Sequence, residues 1–221
     1  MKKTVIILLT LFVITFLASC GAMRNRRVTT DTGVIINGVH WATRNVDAPG
    51  TFVRNPEDAG MLFQWNRKKA WSTTNQEVTG WFNRLKIRIR DRNQETEAET
   101  EWDTSIPDGE TWERVNDPCP PGWRVPTEAE FYSLKNSGSV WITRRGVNGR
   151  LFGTAPNQLF LPAAGWRNYD GTFNLAGKTG GYWSNTQRLR MFARDFVFID
   201  ELVNILDSHR IRGFSIRCVA K

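Results

Sequence analysis

The chain has 221 residues, enough to bury a sizeable core, and sets 30 Lys and Arg against 22 Asp and Glu, a formal charge of +8. A positive balance suits nucleic acid, anionic lipid headgroups, acidic glycans, or simply a solvated surface of mixed charge. The sequence holds no nucleic-acid recognition motif, and together with an export signal this excludes nucleic acid as a partner.

That signal comes first. "MKKTVIILLTLFVITFLASC" sets two lysines before an apolar run from Val5 to Leu17, broken only by Thr10 and Thr15. The run has the length of a signal peptide and is too short for a comfortable membrane span. Leu17-Ala18-Ser19-Cys20 then resembles the bacterial lipoprotein box, in which small residues precede the cut and the cysteine thiol receives the lipid. An ordinary secretory signal ending in cysteine is the alternative. The expectation is that residues 1–19 are removed and Cys20 carries a palmitate-type anchor. The mature chain would sit in the cell envelope, lipid-bound to the outer membrane. Loss of Lys2 and Lys3 lowers the formal charge to +6. Residues 20–32, which include "GAMRNRRVTTDT", lack large apolar side chains other than a methionine and read as a basic tether. Its lack of an acidic export signal favours the periplasmic face.

The domain opens with "GVIINGVHWATRNV", two apolar arms around Asn37-Gly38, the pair that best satisfies a type I′ turn. Further on, Lys86, Arg88 and Arg90 alternate with Leu85, Ile87 and Ile89, the period of a half-buried strand, and a Glu-rich surface run follows. In "NDPCPPGWRVPTEAEF" Pro118, Pro120 and Pro121 forbid helix around Cys119. Thr127 and Glu130 then spell a capping box, so a helix is expected with Phe131 and Leu134 on one face, stopping near residues 136–138. "LFLPAAGWRNYDGTFNLAG" reads as strand, turn and strand with Asp170-Gly171 at the tip. Phe196 and Phe198 fall at strand spacing. In "GFSIRCVAK" Phe214, Ile216 and Cys218 share one face of a last strand.

With Cys20 lipidated, Cys119 and Cys218 remain, and in an oxidising compartment they most simply form one disulfide; two separate buried thiols are the alternative. The loop so closed is long, worth on the order of 4–5 kcal/mol in the chain-entropy picture. No internal repeat or second domain boundary is visible. Many short strands, one helix, ten tryptophans and frequent Gly/Asn/Asp turns suggest an α+β domain rich in structured loops.

Six stretches occur in a fixed order: "GVHWATRNVDAPGTF", "FQWNRKKAW", "NDPCPPGWRVPTEAEF", "LFLPAAGWRNYDG", "GGYWSNT" and "GFSIRCV". Over residues 33–221 they resemble the Fibrobacter succinogenes major paralogous domain of bacterial envelope proteins. The resemblance implies a C-type-lectin-like fold with short, mainly antiparallel strands, one helix and long loops. It also implies a Cys119–Cys218 pair, an insertion at 85–101, and no defined activity. Copper-holding oxidases of that fold use two close cysteines, whereas Cys119 and Cys218 match the structural pair.

The search for chemistry is short. His40 lies mid-strand and His209 in a polar loop, neither at metal-ligand spacing. Asn116-Asp117 only echoes a calcium-binding lectin element, and no metal, catalytic residue or cofactor is expected. Trp166, Tyr169, Tyr182 and Trp183 offer flat apolar faces, and Arg167, Asn168, Asp170, Ser184 and Asn185 offer hydrogen-bonding groups. Together these suit a glycan or peptide, though tryptophans of this kind also fill cores. The first expectation is therefore a non-catalytic, membrane-anchored binding or adhesion module for a glycan or an envelope protein. A formylglycine-generating-type or other envelope enzyme and a structural subunit of an envelope or pilus assembly are the alternatives.

Overall fold

Asn37 and Gly38, at φ +47° and +79°, close the first hairpin as their identities demand, pairing β1 (Val34–Ile36) with β2 (Val39–Trp41). The computed structural model describes residues 30–73 and 102–221. The signal segment, Cys20, most of the tether, and the 85–101 insertion with its alternating strand lie outside the described residues. Asp31, assigned by sequence to the tether, belongs to the folded body. Its carboxylate pairs with Arg44 at 3.1 Å and accepts from the backbone N–H of Gly33 and Thr43.

A second hairpin joins β3 (Leu62–Gln64) to β4 (Ala70–Trp71). After the proline corner come β5 (Trp123–Arg124) and α1 (Glu128–Asn136). The capping box is complete. The Thr127 hydroxyl accepts from the Glu130 N–H at 3.2 Å, and the Glu130 carboxylate accepts from the Thr127 N–H at 2.7 Å. Arg124 grips the same carboxylate with both guanidinium ends, which fixes the helix against β5.

Two three-stranded meanders follow. The first is β6 (Ser139–Arg144), β7 (Val147–Thr154) and β8 (Asn157–Pro162). Then β9 (Trp166–Arg167) and β10 (Phe173–Asn174) form the expected turn. The second meander is β11 (Gly180–Leu189), β12 (Phe192–Phe198) and β13 (Val203–His209). The last expected strand is in fact two, β14 (Gly213–Phe214) and β15 (Val219–Ala220), which enter different sheets. The sheet orders are β1-β2-β15-β5 and β10-β9-β14-β3-β4, so both short terminal strands lie inside their sheets.

The α+β class with a C-type-lectin-like architecture is not what the chain adopts. Among the described residues 43% are strand and 7% helix, in several small antiparallel sheets. Among the described residues one segment, Glu128–Asn136, forms an α-helix, and it carries a complete cap. Over much of the rest of the described chain Gly, Pro and Asn recur closely and close hairpins, while 186–203, which lacks them, alternates large apolar residues at strand spacing in β12.

Two apolar clusters fill the interior, and β11 divides them because successive strand residues point to opposite faces. Tyr182 joins Trp41, Phe131, Phe152, Phe196 and Phe198 on one side. Trp183 joins Phe63, Trp65, Phe214, Ile216 and Cys218 on the other. Gly180 and Gly181 are required there, since a Cβ on either would collide with the rings of Phe198 and Phe214.

The chain from Gly213 to Ala220 runs between these parts and is bonded along its length. Ser215 exchanges backbone bonds with Gly181 and Trp183, Val46 donates to the Ile216 carbonyl, and Ala42 donates to that of Cys218 at 2.9 Å. Arg217, wholly buried, donates to Asn45 at 2.9 Å and to the carbonyls of Ala42 and Phe160. Asn45 in turn donates to the Tyr182 hydroxyl, which donates to the Pro162 carbonyl. Burial lowers the Arg217 pKa, and the ring of acceptors is what makes an interior guanidinium tolerable.

Cys119 and Cys218, 99 positions apart, form a disulfide. Cys119→Ser, Cys218→Ser and the double variant should each lose about 2–5 kcal/mol of stability, since all three remove the same cross-link. Denaturant unfolding checks this. A double variant losing the sum of the two single losses would contradict it.

Candidate functional site

The residues expected to form one aromatic platform do not share a surface. Tyr182, Trp183 and Ser184 are buried, and so is Arg167. The Trp183 indole donates to the Phe63 carbonyl at 2.8 Å and meets Phe214 edge-on. Such a partner is what a buried indole N–H needs. Arg167 donates to the carbonyls of Ser72 and Gly171, and burial pushes its pKa down to about 10, so it stays charged at neutral pH. It holds the β9–β10 turn to the body and presents nothing to solvent. The half-buried Trp166 packs edge-on against Phe214. Arg167, Tyr182, Trp183 and Ser184 are therefore framework and not ligand contacts, while Trp166 keeps part of its surface open. In an interior built of short strands, the long side chains of Arg167, Tyr182 and Trp183 reach carbonyls on other parts of the chain.

Three of the remaining residues sit on the β9–β10 turn. Asp170 accepts from the N–H and hydroxyl of Thr172, and these bonds lower its pKa. The Asn168 N–H donates to the Thr172 carbonyl. Tyr169 is 56% exposed and overlooks a hollow of about 360 Å³ floored by Phe192 and His209. His209 ends a strand instead of lying in a loop, and burial lowers its pKa. His40 lies in β2 as expected, its ring bonded to the Thr32 carbonyl and set against Trp123.

Asn185 lies elsewhere, in a recess of about 700 Å³ beside the proline corner. Its backbone N–H donates to the Pro126 carbonyl at 2.7 Å. The frame of this recess is stiff. Gly50 donates to the Pro118 carbonyl, Trp123 to that of Pro120, and Lys221 to that of Gly122. Asp117 accepts from the N–H of Cys119 at 2.9 Å and of Val125 at 3.3 Å. Burial raises its pKa against those two bonds and the nearby charges of Lys221 and Arg124.

Lys68, Arg114 and Lys221 line the recess together with the indoles of Trp112 and Trp123. Trp112 is pinned by a 2.9 Å bond from its indole to the Asn116 carbonyl, and Trp123 packs against Phe52. Arg124 is already engaged by Glu130 at 2.6 Å. Among the described residues no carboxylate forms an ion pair with Lys68, Arg114 or Lys221. Sequence reading missed this set because its members are scattered over the chain and no spacing joins them. The Gly-Trp pair after the prolines was the one available signal. Among the described residues no group of three or more His, Cys, Asp or Glu side chains could hold a metal ion.

Comparisons of the chain with protein-family models, curated proteins and solved structures found no match.

One buried group has a consequence for pH. Asp195 on β12 lies in the interior opposite Trp183, and burial pushes its pKa from 3.8 up to about 7, only partly offset by Ser208 and Arg212. Between those two values the native state keeps a proton that the unfolded chain releases. Stability should therefore fall as pH rises from about 4 to about 7. Asp195→Asn should flatten that slope and gain roughly 2–4 kcal/mol at pH 8. Thermal unfolding across pH checks it; an unchanged slope in the variant would contradict it.

Proposed function

We propose that the chain is a non-catalytic binding module of the bacterial envelope, held to the outer membrane by a lipid on Cys20, with its ligand site in the recess at the proline corner. The observation that carries the site is the union of two unpaired cations, Lys68 and Arg114, with Lys221 and the partly exposed indole of Trp123 on a rigid frame. Such a recess offers hydrogen bonds, charge and flat apolar surface in one place, which is what recognition of a glycan or a polar protein segment requires. Rigidity lowers the ordering cost of binding, and here it comes from the disulfide, the prolines and the Asp117 bonds. The anchor is supported by the signal-like first twenty residues. Membership of the Fibrobacter succinogenes major paralogous domain family remains part of this proposal, supported by the quoted motifs alone.

Two measurements test the reading. Cys20→Ala should move the protein from the membrane fraction to the soluble or unprocessed pool, and equal membrane association would overturn the anchor. On a glycan array, the Lys68→Ala/Arg114→Ala variant should lose the wild-type signal while keeping the wild-type melting temperature, because both side chains are exposed. A signal that survives both substitutions would place the site elsewhere.

A further inference from the structure

The charge of the corner recess narrows its ligand. Resting on the binding reading above, we infer that the recess takes an acidic glycan, a chain of sugar rings bearing carboxylate or sulfate groups. The argument begins with which charges are spent. Arg124 is held by both oxygens of Glu130, and both oxygens of Asp117 face backbone N–H groups of the corner. Lys221 is set against Asp117, whereas Lys68 and Arg114 form no ion pair among the described residues, so these two leave the recess with uncompensated positive charge. Even with Asp117 ionised and set against Lys221, Lys68 and Arg114 keep the recess positive. The raised pKa of Asp117 weakens its opposition as the medium turns acidic.

Charge alone would also suit a phospholipid surface, and the shape decides between them. A bilayer presents headgroups on a broad plane and calls for cations on a projecting face. These cations line a hollow of about 700 Å³, the size of a few sugar rings and not of a membrane plane. The walls are equally informative. Trp123 is partly exposed in the recess and Trp112 is buried, so the Trp123 indole supplies the aromatic surface against which the C–H side of a ring can pack. Asn185 adds an amide beside it, suited to ring hydroxyls. Cations to hold an acid group, an indole to stack a ring and an amide to read a hydroxyl together describe an acidic sugar.

Charge-assisted bonds in so open a site are strong in geometry and sensitive to salt. The test is calorimetric titration of the full lipidated chain in detergent with an oligogalacturonate and a sulfated heparin hexasaccharide. Neutral maltohexaose and phosphatidylglycerol vesicles are titrated in parallel. At least one acidic oligosaccharide should bind, with affinity falling about tenfold between roughly 0.05 and 0.5 M salt. The Lys68→Gln/Arg114→Gln variant, with unchanged circular dichroism, should also bind about tenfold more weakly. Equal, salt-insensitive binding of maltohexaose would overturn the acidic class and leave the binding reading standing. Undiminished acidic-sugar binding by the variant would overturn the site. Vesicle binding without oligosaccharide binding would replace the glycan by a lipid. If no probe binds, the inference fails, and a blank glycan array alongside would fail the binding reading as well.

Discussion

The segment from Gly213 to Ala220 is the constraint on which the rest of the structure depends. It supplies an interior strand to each of two sheets, yet neither strand is longer than two residues. Strands so short hold little by their own ladders, and the segment is secured instead by what surrounds it. Phe214, Ile216 and Val219 are buried on apolar neighbours, each worth roughly 1.5–3 kcal/mol, and Cys218 is buried beside them in the disulfide. Between them Arg217 reaches out of the apolar layer to carbonyls on two other parts of the chain, at Ala42 and Phe160. Removing this segment would leave the first hairpin, the β3–β4 pair and the β9–β10 turn without the strands that pair with them in their sheets.

The candidate site follows from the same constraint. The disulfide fastens the proline corner to Cys218, and β15 pairs with β5 just beyond it, so the corner is fixed from two sides. Trp123 belongs to β5, Asp117 and Trp112 lie just before the corner, and Lys221 follows β15. A site assembled this way has walls whose positions are set by the interior of the fold. Buried arginines extend the principle to the loops. Arg210 lies 4.0 Å from the centre of the Trp65 ring and donates to the carbonyls of Pro107 and Gly109, as Arg167 does for the β9–β10 turn. Carbonyls that no ladder satisfies are met by guanidinium forks, which present several donors in one plane.

Local chemistry was legible in the sequence where a few adjacent residues decide it. Asn37-Gly38 specified a hairpin, Thr127 and Glu130 a helix start, and the prolines around Cys119 a rigid corner, and each stands as read. The class was misread because one well-capped helix was given the weight of a layer. The candidate site was misread because Trp183 and Tyr182 carry the same letters whether they line a surface or fill a core. What separates the two is the partner found by each polar tip, at Phe63 for one and Pro162 for the other, more than a hundred positions away in the first case. The single face of Phe214, Ile216 and Cys218 was correctly read, but not that the chain changes sheets between them. Arg217 lies buried within that change, although its charge by itself suggests a surface residue. Lys68, Arg114 and Lys221 share no sequence pattern, and only the closed corner brings them to one recess.

Native-state hydrogen exchange read by mass spectrometry on the amides of residues 213–220 tests the central claim most directly. If this segment holds the two sheets together, its amides should be among the slowest in the protein. They should exchange only through the global unfolding reaction, with a free energy of opening equal to that of denaturant unfolding. Exchange of these amides by local opening, while β11, β12 and β13 remain protected, would show that the sheets stand without the segment and would contradict the account.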